Sequence, residues 1–173
     1  MPLQSQVYIN QPLGVPGTIA RLNPVPQGKP FVTEGTAVKT GGFVFAGTDP
    51  ETQVVGTDSD ATEVAGFAVF ERYQAPLNGV SALNGLTVNE GEEIFVALRG
   101  CYFAVSSTAA VKGQNVVVNP TTGVIQALEI TRTETVSGSA IEVTDNIPEG
   151  FIDTGWVVDT GASANAVCVI QRV

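Results

Sequence analysis

Ten short runs rich in Val, Ile, Phe and Thr dominate the chain from residue 31 onward, with turn residues between them. They are FVFAG (43–47), EVAGFAVFER (63–72), EIFVALRG (93–100), YFAVSS (102–107), NVVVN (115–119), VIQALEI (124–130), TRTETV (131–136), SAIEVT (139–144), GWVVD (155–159) and AVCVIQR (166–172). Runs this short, recurring at roughly 8–12-residue spacing, mark a β-sandwich or barrel. No segment sustains a helical period, and STAAVKG (107–113), which has the composition for one turn, is ended by Gly113. The reading is all-β: a compact antiparallel β-sandwich or barrel, jelly-roll-like. Within EIFVALRG, Ile94, Val96 and Leu98 share one face and Phe95, Ala97 and Arg99 the other. Both faces are apolar at the strand centre, which predicts a core on one side and a second layer or a partner on the other. TRTETV, with SGS (137–139) as its turn and SAIEVT as its return, predicts an exposed hairpin projecting from the body.

Residues 1–30 follow a different grammar. They hold Pro2, Pro12, Pro16, Pro24, Pro26 and Pro30, and no acidic residue precedes Glu34. Proline at that density forbids a helix and pushes its neighbours to extended geometry. Val7, Tyr8, Ile9, Leu13, Val15, Ile19 and Leu22 are too apolar for a solvated linker. The chain therefore divides into an extended Pro-rich N-terminal arm (1–30) and a β-domain (31–173). The arm is expected to lie on its own domain or on a neighbouring subunit.

Composition then excludes several functions. With no histidine, Ser-His-Asp and Cys-His catalysis are impossible, and the commonest metal ligand is missing. A net charge of −9 with eight scattered basic residues gives no footprint for nucleic acid or an anionic membrane. No apolar run reaches membrane-spanning length, and MPLQSQVYINQPLG has neither the basic nor the apolar part of a signal peptide. Charged residues make up 14% of the chain, against about 25% in an average domain. The surface is therefore covered by uncharged polar residues or hidden partly against other chains. Cys101 and Cys168 lie in apolar runs and read as buried thiols rather than a disulfide or a zinc site.

Each remaining motif has a plain structural explanation. In KGQNVVVNPTTGVIQA (112–127), Asn119-Pro120-Thr121-Thr122-Gly123 lacks the lysine and helix of a phosphate loop and has ordinary turn chemistry. The loop from Gly56 to Glu63 carries three acids but not the spacing of a calcium loop, so it reads as an acidic solvated loop. Asp49-Pro50-Glu51 and Glu90-Gly91-Glu92-Glu93 read the same way, with no sign of a paired-carboxylate hydrolase. Trp156 is ambiguous between core and a sugar platform. No catalytic, cofactor or metal residue is predicted.

Several phrases resemble the capsid cement (decoration) proteins of tailed bacteriophages. They are the opening QPLGVPGTIARLNP, GFVFAGTDPETQVVG, EEIFVALRGCYFAVSSTAAVKGQNVVVNPTTGVI and the ending GWVVDTGASANAVCVIQRV. The resemblance implies a non-enzymatic structural protein that binds the outside of an icosahedral head built by a separate major capsid protein. It implies a homodimer or homotrimer, made in the host bacterial cytoplasm, that clamps neighbouring capsomers. On this reading the arm is the clasp. Val7, Ile9, Leu13, Val15 and Ile19 supply apolar burial, and Arg21 pairs with an acidic neighbour. The alternative is a viral carbohydrate-binding β-module or adhesin, which requires an aromatic site around Trp156.

Overall fold

The computed structural model describes residues 14–70, 87–137 and 140–173, with the backbone alone of the hairpin strands within 132–144. These residues form strands and no helix. The strands are β1 (Ile19–Arg21), β2 (Gln27–Thr33), β3 (Val38–Lys39), β4 (Phe43–Ala46), β5 (Gln53–Val55), β6 (Gly66–Ala68), β7 (Thr87–Val88), β8 (Glu93–Val105), β9 (Asn115–Val118), β10 (Ile125–Leu128), β11 (Arg132–Ser137), β12 (Ala140–Asp145), β13 (Ile152–Thr160) and β14 (Val167–Arg172).

β8 organises the fold. EIFVALRG and YFAVSS, which the sequence suggests are separate strands, are one 13-residue strand. Its first half closes a five-stranded barrel in the order β8-β2-β5-β4-β6, with β6 pairing back onto β8. One barrel pair, β2 with β5, is parallel, and the others are antiparallel. The second half of β8 belongs to another sheet, ordered β8-β14-β13-β9-β10, and also pairs with β1. The changeover falls at Gly100, where φ is +133° and an added Cβ would lie 2.6 Å from the Tyr102 ring. Glycine permits that backbone without strain.

The alternation seen in the sequence now has two destinations. Ile94 and Val96 point into the barrel with Phe31, Val38, Val44, Val54, Ala68 and Val88. Phe95 and Ala97 point the other way, as do Phe43, Phe45 and Phe67, into a larger core shared with the second sheet. Four aromatic rings join the two layers: Phe43 and Phe67 from the barrel, Tyr102 and Trp156 from the sheet. Their centroids lie 5.3–6.2 Å apart in edge or tilted geometry. Such pairs contribute about 0.5–1.5 kcal/mol each beyond area burial. Trp156 is fully buried at their centre.

Exposed strand edges invite aggregation and need cover. The outer edge of β10 is covered from within. The Ser107 amide and hydroxyl both donate to the Ile125 carbonyl, at 2.8 and 2.9 Å. The Thr108 hydroxyl donates to the Ala127 carbonyl and accepts from its amide, both at 3.0 Å. β2 meets β5 only at Val32 and Thr33, so its earlier edge is open, and there it carries Lys29 and Pro30. Both residues discourage further pairing. β11 and β12 pair in register from Arg132 with Asp145 to Ser137 with Ala140, as a separate two-stranded sheet. Two of the three turn residues read from the sequence, 138–139, lie outside the described residues.

Candidate functional site

The stretch KGQNVVVNPTTGVIQA is a hairpin of β9, a turn and β10. The Asn119 carboxamide oxygen accepts from the Thr121 and Thr122 amides at 3.1 and 2.9 Å, and the Gly123 amide closes onto the Asn119 carbonyl at 2.7 Å. Gly123 has φ +69°, the left-handed conformation such a turn needs. The turn amides are spent on the turn itself. The acidic loop is turned similarly: the Asp58 carboxylate accepts the Asp60 amide at 3.0 Å, while the Asp58 amide donates to the Pro120 carbonyl at 2.9 Å. Among the described residues no cluster of three or more metal-ligating side chains occurs. Trp156 presents no face to a sugar, because Phe43, Phe67 and Tyr102 enclose it.

The N-terminal segment is the part of the described surface whose character departs most from the rest. The first 33 residues contain Arg21, Lys29 and no acid, whereas all 17 acids follow. Its described part is fastened to the domain. Gly14 lies so close to Phe103 that a Cβ would come within 2.4 Å of the ring. The Gly17 amide donates to the Phe103 carbonyl at 2.8 Å, the Phe103 amide to Thr18 at 3.0 Å, and the Phe70 amide to the Gly17 carbonyl at 2.9 Å. Gly17 has φ +89°, and a Cβ there would lie 2.9 Å from the amide nitrogens of Gly41 and Phe70. β1 then pairs with β8, Ile19 opposite Tyr102 and Arg21 opposite Cys101.

Arg21 ends this fastening in an ion pair. Its guanidinium lies 2.8 Å from Asp159 on β13 and donates to the Thr160 hydroxyl at 3.3 Å. Asp159 is only 7% exposed, and it also accepts from Thr160 at 3.1 Å and has Lys112 at 4.0 Å. The acidic neighbour of Arg21 within the described structure is therefore on its own chain. Cys101 sits beneath this group. Burial pushes its thiol pKa up, Asp159 adds to the rise, and Arg21 opposes it. Cys168 is likewise raised, chiefly by burial, and both cysteines are free.

Of the residues the sequence proposes for an interface, Val7, Ile9 and Leu13 lie outside the described residues. Val15 is half-buried at the Thr18 turn, Ile19 is exposed, and Arg21 is exposed but engaged with Asp159. Three further exposed aliphatic side chains are not assigned to an interface by the sequence, although Leu22 contributes there to the apolar character of residues 1–30. These are Leu22, 74% exposed, and Val25, in the turn Leu22-Asn23-Pro24-Val25-Pro26, and Val111, 60% exposed, beside Lys112. Their signal was present as isolated aliphatics among turn residues, where no periodicity demands a core.

The described residues thus form an all-β domain that leaves Leu22, Val25 and Val111 exposed. Residues 3–173 match the family described as structural cement protein (E217 gp24/Pam3 gp6), and the chain belongs to that family. Its role is structural, as a capsid cement or decoration protein of a bacteriophage, which places it in the virion. A solved structure described as the capsid of Myoviridae Phage XM1 contains a chain of similar fold. The TM-score is 0.64 at 16% identity, over 99% of this chain and 97% of that one. No curated protein sequence matches.

Proposed function

We propose that the chain binds the outer surface of an icosahedral phage head, on the major capsid protein, and ties neighbouring capsomers together without catalysing a reaction. It acts as a homodimer or homotrimer, so that each weak contact, once one is made, is followed by others at high effective concentration. Residues 1–30 are the clasp. Val7, Ile9, Leu13, Val15 and Ile19 provide apolar burial against the shell or a neighbouring subunit, while Arg21 anchors the root of the arm on Asp159. Ordering an arm costs about 1–2 kcal/mol per residue fixed, and its prolines reduce that cost by restricting the free chain.

The observation that carries this reading is the family match, which begins at residue 3 and so includes the arm as well as the domain. The test is to mix the protein with undecorated heads and measure binding by electron microscopy and by the heat resistance of the heads. Saturable, stoichiometric decoration is expected. A variant lacking residues 2–13 leaves the Gly17–Phe103 and Arg21–Asp159 contacts in place and should fold, yet occupy fewer sites. Unchanged occupancy and heat resistance would end the clasp assignment.

A further inference from the structure

Among the described residues, three buried side-chain nitrogen or oxygen atoms have no hydrogen-bond partner: Arg99 Nε, the Tyr102 hydroxyl and Trp156 Nε1. The guanidinium and indole N–H groups can only donate, and the phenol can donate. These atoms belong to residues around two glycines. Arg99 precedes Gly100, and a Cβ at Gly100 would lie 2.6 Å from the Tyr102 ring. Trp156 follows Gly155, and its ring centroid lies 5.9 Å from that of Tyr102. Arg172 on β14 joins the two places. It pairs with Gly100 across the sheet, and its guanidinium lies 3.7 Å from the Cβ position of Gly155.

Strand alternation puts both arginines on one side of their sheet. Arg99 continues the row of Phe95 and Ala97 on β8, and Arg172 continues the row of Cys168 and Ile170 on β14. The earlier members of both rows pack in or against the larger core. The two arginines therefore stand together where that core ends, Arg99 partly buried and Arg172 exposed. Neither has an ion-pair partner among the described residues. The Asp153 carboxylate, two residues before Gly155, accepts the Gly155 amide at 3.0 Å and forms no ion pair with Arg172. In a chain with 17 acids and eight basic residues, two adjacent cations without a carboxylate are an exception. A buried guanidinium nitrogen without an acceptor is costly, and folded proteins normally satisfy such groups.

We infer that Arg99 and Arg172 together receive a carboxylate from the partner protein, an aspartate or glutamate side chain on the outer surface of the head. This rests on the head binding proposed above and names the chemistry of its contact. A guanidinium fork takes a carboxylate through two parallel N–H···O bonds, which a lysine cannot reproduce. The charge pattern favours this occupant. With a net charge of −9 the chain repels an acidic surface over most of its area, so a carboxylate is steered to its unpaired cations. Pro26, whose Cα lies 3.2 Å from the Gly100 Cβ position, and its exposed neighbour Val25 border the site with apolar surface. In the free protein Arg99 is held without its acceptor, so its contribution appears only in the complex.

The test uses the full chain and undecorated heads, with occupancy counted by electron microscopy at several salt concentrations. Arg172→Gln and Arg99→Met should each weaken binding by about tenfold or more and flatten its salt dependence. Arg172→Lys, which keeps the charge but not the fork, should weaken it too. Lys39→Gln removes an exposed cation elsewhere and should bind like the wild type. Arg99→Met should melt at or above the wild-type temperature, because it removes an unsatisfied buried donor and keeps an apolar stem; an arginine with a merely structural role would lower Tm. A second arm needs no heads. With sodium acetate as the probe, against sodium chloride at equal ionic strength, the Nε–H resonances of Arg99 and Arg172 should shift saturably. The inference is overturned by arginine variants that occupy heads like the wild type, by an equal loss in Lys39→Gln, or by acetate shifts no different from chloride. It is also overturned if Arg172→Gln alters only the sedimentation of the free protein, which would assign the arginines to a contact between copies. Wild-type decoration that persists through those results leaves the cement role intact, whereas a wild type that leaves heads bare ends that role and this inference with it.

Discussion

Replacing Arg21 by alanine tests how the N-terminal segment is held. Exposed ion pairs contribute about 0–1 kcal/mol, whereas removing one partner of a buried pair costs about 3–5 kcal/mol. The Arg21–Asp159 pair lies between these limits. Arg21 is 56% exposed, but Asp159 is 7% exposed and would keep only the Thr160 hydroxyl and Lys112 at 4.0 Å. The expected loss is about 1–3 kcal/mol, or about 2–4 °C in Tm per kcal/mol for a chain of this size. Asp159→Asn removes the buried charge and keeps an acceptor for Thr160, so it should cost less. The combined variant should be about as stable as Asp159→Asn alone, giving a coupling equal to the Arg21→Ala loss, about 1–3 kcal/mol. Lys112→Ala should have little effect. Urea unfolding followed through the fluorescence of the single tryptophan, Trp156, reads all four variants. Strict additivity of the two substitutions, or an Arg21→Ala protein as stable as wild type, would refute the reasoning.

Tyr102 offers a substitution with the opposite sign. Its ring is fully buried and its hydroxyl has no protein partner among the described residues, so Tyr102→Phe should stabilise the protein by about 1 kcal/mol in the same assay. Burial also pushes the Tyr102 phenol up to about 12. In an ultraviolet titration its ionisation should therefore lag that of an ordinary solvated tyrosine. Between an ordinary tyrosine pKa of about 10 and that raised value, the unfolded chain releases a proton the folded one retains, so stability should fall as pH rises; Tyr102→Phe should remove this part of the decline. Gly17→Ala places a Cβ 2.9 Å from two backbone nitrogens at φ +89° and should destabilise by more than about 1 kcal/mol, read as a lower Tm. Cys101 and Cys168, both buried with raised pKa values, should resist thiol reagents at neutral pH until the protein unfolds.

The alternation in EIFVALRG was legible because a strand with two apolar faces must cover both, and Ile94/Val96 and Phe95/Ala97 do enter different cores. The hairpin around Asn119–Gly123 was legible because its turn chemistry is local. What escaped the sequence is non-local. Gly100 looked like a break between strands, yet it lets one strand serve a barrel and a sheet. β1, β3, β5 and β7 are two or three residues long, too short to show a period, and exist through their partners. Pro30 sits within β2 at an open edge, where its missing amide costs no ladder bond. Trp156 gave no clue to its burial, because its three ring neighbours come from three other strands. Likewise nothing near Arg21 pointed to Asp159, since only the folded sheet brings β1 over β13.

The most direct measurement of the central claim is the occupancy of undecorated phage heads by the purified protein, counted by electron microscopy as protein is added. The account predicts saturation at a fixed number of symmetry-related sites on the outer face of the shell, with a matching rise in the temperature at which the heads rupture. A folded protein that leaves the heads bare, or that coats them without a saturating stoichiometry and without changing their rupture temperature, would contradict it.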